Sequence, residues 1–255
     1  MKISAVTAFD YPGYQQYGKA CLESLQKYWP YPVHVFYEEH KPDIADYKFV
    51  YHDRGLDQEL QVFKGEWGAS PIANGIMGNK INYRYEAVKF CNKVFCVTSP
   101  LRPDDLDWWV WIDADTVMTR SVEPELMEQT LKPDVVASYL GRKDWDHSEC
   151  GFVAYNLRRA GDQFLAAFRQ AYVTNALFNL EQWHDSYVFD VIRKEFERHG
   201  HKFHNISEGV PGLDVWPQTI LGKYMIHYKG PKGKAEISEM KELEQRNIGT
   251  LSTPS

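Results

Sequence analysis

Cysteine is scarce in this chain, and the four present, Cys21, Cys91, Cys96 and Cys150, fall at irregular spacings with no CxxC pair. That excludes a disulfide framework and a paired-cysteine zinc site, and leaves reduced thiols as the expectation. Long apolar runs are also missing. Nothing approaches the roughly 20 consecutive apolar residues that cross a bilayer, so no membrane span is expected. The opening MKISAVTAFDYPGYQQ turns polar too soon for a signal peptide, which makes a soluble, cytoplasmic protein the expectation. Positive charge is not in excess either. A net charge of −6 gives no electrostatic footprint for a phosphate polymer.

What is present is ordinary for a globular protein, with 44% hydrophobic and 25% charged residues, a balance that rules out a disordered or fibrous chain. The 255 residues fit one domain with a substantial core. Aromatic residues reach 15%, enough to line a cleft with rings or to fill the core.

The run from Ile3 to Phe9 reads as a buried strand that ends at the turn signal Asp10-Tyr-Pro-Gly. Ala20, Leu22, Leu25 and Tyr28 then follow helical spacing, and VHVFYEE from Val33 reads as a second strand. Such a βαβ opening predicts parallel strands joined by a right-handed crossover, with ligands beyond the carboxyl ends of the strands. Residues 54–79, which include GEWGASPIANGIMGN, read as an irregular loop, either a mobile lid or a solvated excursion. From Asn79, a possible N-cap, Ile81, Tyr85, Val88 and Phe95 share one helix face. Lys80 and Arg84 are then i,i+4 neighbours, placed to hold a diphosphate or simply solvated. Further strands are expected at WWVWID, DVVASYL, CGFVAYN from Cys150 and Tyr224 to Tyr228. Helices are expected near Pro124 to Thr130, from about Ala160 to Val173 and from Trp183, and the last ~20 residues read as a polar, partly helical tail.

The chemistry concentrates at VWIDADTVMTR. Asp113 and Asp115, one residue apart, leave the core together at the end of a very apolar strand. Paired carboxylates repel unless a cation sits between them, and hard divalent ions such as Mg²⁺ and Mn²⁺ take such oxygen ligands and share them with substrate phosphate. A turn capped by aspartates is the simpler alternative.

On these residues the chain resembles the GT-A nucleotide-sugar glycosyltransferases, whose DxD motif follows a central strand. The C-terminal His227-Tyr-Lys-Gly230-Pro-Lys-Gly-Lys234 is similar to the HxxGxxK motif of glycogenin-like and bacterial galactosyltransferase-like members, although Gly233 stands at the lysine position with Lys232 and Lys234 on either side. The resemblance implies an α/β, Rossmann-like single domain with a mainly parallel, twisted central sheet flanked by helices. Within it, residues 1–120 would form the nucleotide-sugar-binding half, 121–235 the acceptor half and 236–255 a tail.

The resemblance further implies a Mn²⁺ or Mg²⁺ ion on Asp113, Asp115 and His227. It implies donor contacts from Asp113, Ala114, Gly230 and Lys232 or Lys234, with Thr7, Ala8 and Asp10 at the place of the base and ribose. SECGFVAYN resembles the family's acceptor-side strand, which would bring Glu149 and Gly151 beside the donor sugar, and WHDSYVFD resembles its acid-bearing helix start, which nominates Asp185 as a carboxylate near the reacting carbon. Glu149 reads equally as a solvated acid, Asp185 as a helix N-cap and His227 as a core histidine. The implied reaction is metal-dependent transfer from a nucleotide diphosphate sugar, a UDP-sugar first, to an acceptor hydroxyl with retention. The acceptor is a glycan or another hydroxyl compound. Nucleic acid enters only as an acceptor, for instance a modified base of viral DNA, for which the face Lys80, Arg84, Lys89 and Lys93 is the best basic stripe. Two other classes are a nucleotidyltransferase, whose Gly-rich basic loop after the first strand is missing here, and a non-catalytic sugar-nucleotide-binding module.

Overall fold

The computed structural model describes residues 1–230, 233, 236 and 237. In chain order its strands are β1 (Ile3–Phe9), β2 (Val33–Tyr37), β3 (Phe49–Asp53), β4 (Ile76–Met77), β5 (Lys80–Ile81), β6 (Trp108–Ile112), β7 (Thr116–Met118), β8 (Ala137–Leu140), β9 (Glu149–Asn156), β10 (His204–Asn205) and β11 (Met225–His227). Seven of them form one sheet in the order β10-β8-β9-β6-β1-β2-β3. The β6-β1-β2-β3 block is parallel throughout, as is the β8-β10 pair, and β9 runs antiparallel to both its neighbours. The architecture is α/β with a mainly parallel sheet, as expected. No helix among the described residues is long and apolar enough to cross a membrane.

The two most apolar runs become adjacent central strands. All five residues of β6 are buried and so are six of seven in β1, the continuous apolar pattern of strands covered on both faces. One cluster under the sheet gathers Leu22, Leu25, Trp29, Val110 and Ile112, and the opposite one gathers Phe95, Trp109, Phe164 and Phe189. Burial of these rings and branched side chains, at about 1.5–3 kcal/mol each, holds the end of β6 in a fixed place.

Two expected segments differ. Residues 54–79 contain a regular helix, Gln58–Trp67, capped by Asp57, whose carboxylate accepts from the Leu60 N–H at 3.1 Å. Only Leu60 and Phe63 bury on it, too sparse a stripe to show as a period. The helix expected from Asn79 starts instead at Ala87. Gly75 and Gly78, with φ of 71° and 63°, fold the intervening chain into the small β4-β5 hairpin, and Asn82 then caps a 3-10 turn, Tyr83–Tyr85. Asn79 is therefore no cap, Ile81 is 70% exposed, and Lys80 and Arg84 are not helical neighbours.

A histidine pair, His34 buried and His52 half-buried, joins β2 to β3, with His34 Nδ1 2.9 Å from His52 Nε2 and Trp109 edge-on to His34. Burial first and His52 second push His34 down to about 4, and burial also lowers His52. A depressed histidine contributes stability that is complete above its unfolded value of about 6.5 and is lost as pH falls toward 4. Urea unfolding should show roughly 2–3 kcal/mol lost to His34 between pH 7 and pH 4. His34→Gln should flatten that slope, and an unchanged slope would contradict a neutral buried pair.

Candidate metal site

Asp113 is the first residue past β6, and its N–H donates to the Gly151 carbonyl of β9 at 2.8 Å. The chain then reverses into β7, which pairs antiparallel with β11 so that His227 lies opposite Thr116. That two-stranded ladder closes a separation of 112 positions. His227 Nε2 lies 3.1 Å from Asp115 Oδ1 and 3.7 Å from Asp113 Oδ2. The Tyr228 N–H donates to the Asp115 carbonyl at 2.8 Å, and the Trp216 ring packs 4.9 Å from the imidazole.

Gly151 is what admits the histidine. A Cβ there would come within 2.8 Å of His227 Cε1 and 3.2 Å of Nδ1. Gly151→Ala should therefore displace the ring and lower Mn²⁺ affinity about 10–100-fold, the usual effect of disturbing a ligand's support. Isothermal titration measures this, and wild-type affinity would show that the ring has room to spare.

Glu149 joins the same place from the start of β9. One ligand atom each from Asp113, Glu149 and His227 lie within 4.8 Å of one another. Carboxylate oxygens with one imidazole nitrogen suit Mn²⁺ or Mg²⁺, so the donor chemistry fits a hard divalent ion. The second Glu149 oxygen contacts both Arg142 and Lys229, and the first accepts from the Gly151 N–H at 3.2 Å. Glu149 is thus buried and charge-paired rather than a solvated loop acid.

Behind the carboxylates sits Lys93, on the helix Ala87–Val97. Its ammonium donates to Asp113 Oδ1 at 2.9 Å and to the Cys150 carbonyl at 2.6 Å, and it lies 2.9 Å from Asp185 Oδ2. All three of its protons are committed. Burial alone would lower its pKa, but Asp113 and then Asp185 outweigh that and hold it well above the usual lysine value. For Asp113, burial pulls upward, and Lys93, then His227, with the Trp111 indole N–H at 2.6 Å, keep it below the usual carboxylate range. Asp185 is the first residue of the helix Asp185–Arg198, and His184 takes the N-cap position without a side-chain bond. The capping alternative for Asp185 is not what the structure shows.

A cavity of about 690 Å³ opens over these groups, within the size range of small-molecule sites. Asp113, Ala114, Asp115, Glu149, Asp185, His227 and Gly230 line it, as do Ala8 and Asp10 at the end of β1. Asp10 also accepts from the Gly13 N–H at 2.8 Å, which closes the turn after β1. Thr7 is fully buried beneath and is not part of the lining. Lys80 and Arg84 stand outside the cavity. Lys80 is exposed on the hairpin, and Arg84 pairs with Asp146 at 3.2 Å. The cations that do line it are Arg54, Lys89, Lys93, Arg142 and Lys229. Arg142 lies in no motif and Lys229 fills an unspecified position between His227 and Gly230, so only the approach of the segments after β8 and β11 to β9 reveals them. The basic stripe considered for DNA does not form, because Lys93 is consumed internally and Lys89 pairs with Glu86 at 2.8 Å. Lys232 and Lys234 lie outside the described residues.

No protein-family model matches the chain, and no curated protein sequence matches it. Solved structures do. The apo structure of the bifunctional glycosyltransferase WbbM aligns with a TM-score of 0.51 and 12% identity, over 91% of this chain and 46% of that one. The fold is GT-A-like. Mouse xyloside xylosyltransferase 1, in its apo form, aligns at a TM-score of 0.47 and 13% identity over 81% of this chain and 86% of that one. A glycosyltransferase involved in glycosylation of the major capsid of PBCV-1 aligns at 0.46 and 14%, over 94% of this chain and the whole of that one.

Proposed function

We propose that the protein is a metal-dependent glycosyltransferase that moves a sugar from a UDP-sugar to an acceptor hydroxyl with retention at the anomeric carbon. The observation that carries this reading is the convergence of Asp113, Asp115, Glu149 and His227 at one end of the central sheet, above a cavity of nucleotide-sugar size. Asp113, Asp115 and His227 would hold Mn²⁺ or Mg²⁺, with Glu149 facing the same ion. When bound, such an ion neutralises charge on a leaving diphosphate.

The chain's own groups supply the rest. Ala8 and Asp10, with Thr7 below them, border the base and ribose. Ala114 and Gly230 let backbone approach the donor, and Gly230, at a φ of 74°, holds a turn that a side chain would strain. Lys229 and Arg142 stand where a diphosphate would need countercharge, a role that Lys232 or Lys234 would share and that Lys80 and Arg84 are poorly placed to fill. Asp185 lies beside the reacting carbon, where a fixed carboxylate stabilises developing positive charge. Residues 1–120 then serve mainly the donor and 121–235 mainly the acceptor.

A screen of nucleotide release from UDP-, GDP- and ADP-sugars with Mn²⁺ tests the reading. UDP should be released from at least one UDP-sugar, and the transferred sugar should keep its anomeric configuration by NMR. No release from any donor, or inversion, would contradict it.

A further inference from the structure

A second cavity, of about 580 Å³, lies between the loop after β8, the helix Asp185–Arg198 and the chain following β10. It shares Arg142 and His147 with the metal-side cavity, so the two form neighbouring compartments with one common wall. Arg142 reaches Glu149 through that wall.

The polar groups of this second cavity divide into those already spent and those still available. Asp190 accepts from the Ser148 N–H at 2.6 Å, the Ser148 hydroxyl at 2.8 Å and Arg193 Nε at 2.8 Å, which neutralises it inside the wall. Asp146 is likewise engaged by Arg84 at 3.2 Å and by Gln182 at 2.6 Å. Lys143 and Lys194, by contrast, stand exposed on the rim, with Glu208 the one further acid of the lining. Arg142 is only 6% exposed, and its Nε–H is buried without a hydrogen-bond partner.

The remaining feature is an aromatic platform. Trp145 is 39% exposed, yet its Nε1–H donates to His147 Nε2 at 2.8 Å. The ring is held in place by that bond, with the Arg84 guanidinium 6.0 Å from its centroid, and it lines the cavity as an apolar surface beside polar groups. His147 is fixed in turn, because its Nδ1 lies 3.0 Å from the Ser148 carbonyl, which assigns the neutral Nδ1–H tautomer. A sugar ring presents the matching surface, with C–H groups on one face and hydroxyls at its edge.

We propose that this second cavity is the acceptor pocket and that it takes an acidic saccharide, its ring on Trp145 and its anionic group toward Lys143 and Lys194. The proposal rests on the glycosyltransferase reading and adds the substrate class. The test is isothermal titration of tri-galacturonate and of maltotriose into the protein with UDP and Mn²⁺ present. Tri-galacturonate should bind about tenfold or more tightly than maltotriose. The preference should shrink as salt rises. Trp145→Ala should weaken tri-galacturonate about tenfold, and the double change Lys143→Glu with Lys194→Glu should erase the preference while UDP affinity persists. Equal affinity for the two saccharides, or tri-galacturonate binding untouched in both variants, would overturn the proposal. Saccharide binding that responds to Trp145, in a protein that hydrolyses no UDP-sugar, would support the pocket and contradict the transferase reading, so the two fail separately.

Discussion

Lys93→Met is expected to destabilise the protein by about 3–5 kcal/mol, the cost of leaving buried charge uncompensated. Lys93 is 17% exposed at its side chain and lies 2.9 Å from both Asp113 and Asp185. Removing it leaves two carboxylates in one buried place and strips the Cys150 carbonyl of its donor. Methionine keeps the length and apolar stem of the side chain, so lost packing contributes little. Adding Asp185→Asn to the same chain should restore part of the stability, because one of the stranded charges is gone. Urea unfolding of the three proteins decides the matter. A Lys93→Met variant within about 1 kcal/mol of wild type would mean that the bridge carries only the small weight of a surface pair.

Asp185→Asn alone should lower kcat roughly 10²–10³-fold, the usual effect of removing a fixed group that stabilises transition-state charge. Donor KM should move little, since the group acts in the transition state rather than in binding. Asparagine keeps the shape of the side chain, and Lys93 retains Asp113 and the Cys150 carbonyl, so the fold is preserved. Steady-state kinetics with the donor found in the screen gives the split. A large rise in KM at constant kcat would assign Asp185 to donor binding, and full activity would leave it as a partner of Lys93 only.

Much of the scaffold is legible in the sequence because its strands are buried on both faces and therefore continuous in apolar residues. WWVWI and ISAVTAF become β6 and β1, side by side at the centre. The carboxylates at the end of β6 are legible for the same reason, as charged residues directly after a run that must stop at the sheet's edge. His227 stands out because a glycine follows it at Gly230 where backbone and ligand need room. Other parts are not legible. The helix Gln58–Trp67 buries only Leu60 and Phe63, and Gly65 within it reads as a loop residue. The β4-β5 hairpin depends on left-handed glycines that interrupt an otherwise helical spacing.

At the site, spacing alone places Lys93 on a basic face with Lys80, Arg84 and Lys89, whereas packing turns it inward between two acids. Arg142 and Lys229 reach Glu149 from the segments that follow β8 and β11, and no local pattern encodes that meeting. Glu149 itself moves from a loop acid to a buried neighbour of Asp113 and His227 once β9 lies beside β6. The pattern is general: a strand's burial is written along the chain, while the partners of a charged side chain are set by which strands become neighbours.

We propose that side chains just past β6, on β9 and on β11 hold one divalent ion at the donor site. The most direct measurement is Mn²⁺ affinity in the presence of UDP, by isothermal titration, for wild type, Asp115→Asn and His227→Ala. A saturable single site is expected in wild type, with a loss of at least about tenfold in each variant. Wild-type affinity in both variants, or no UDP-linked Mn²⁺ binding at all, would contradict it.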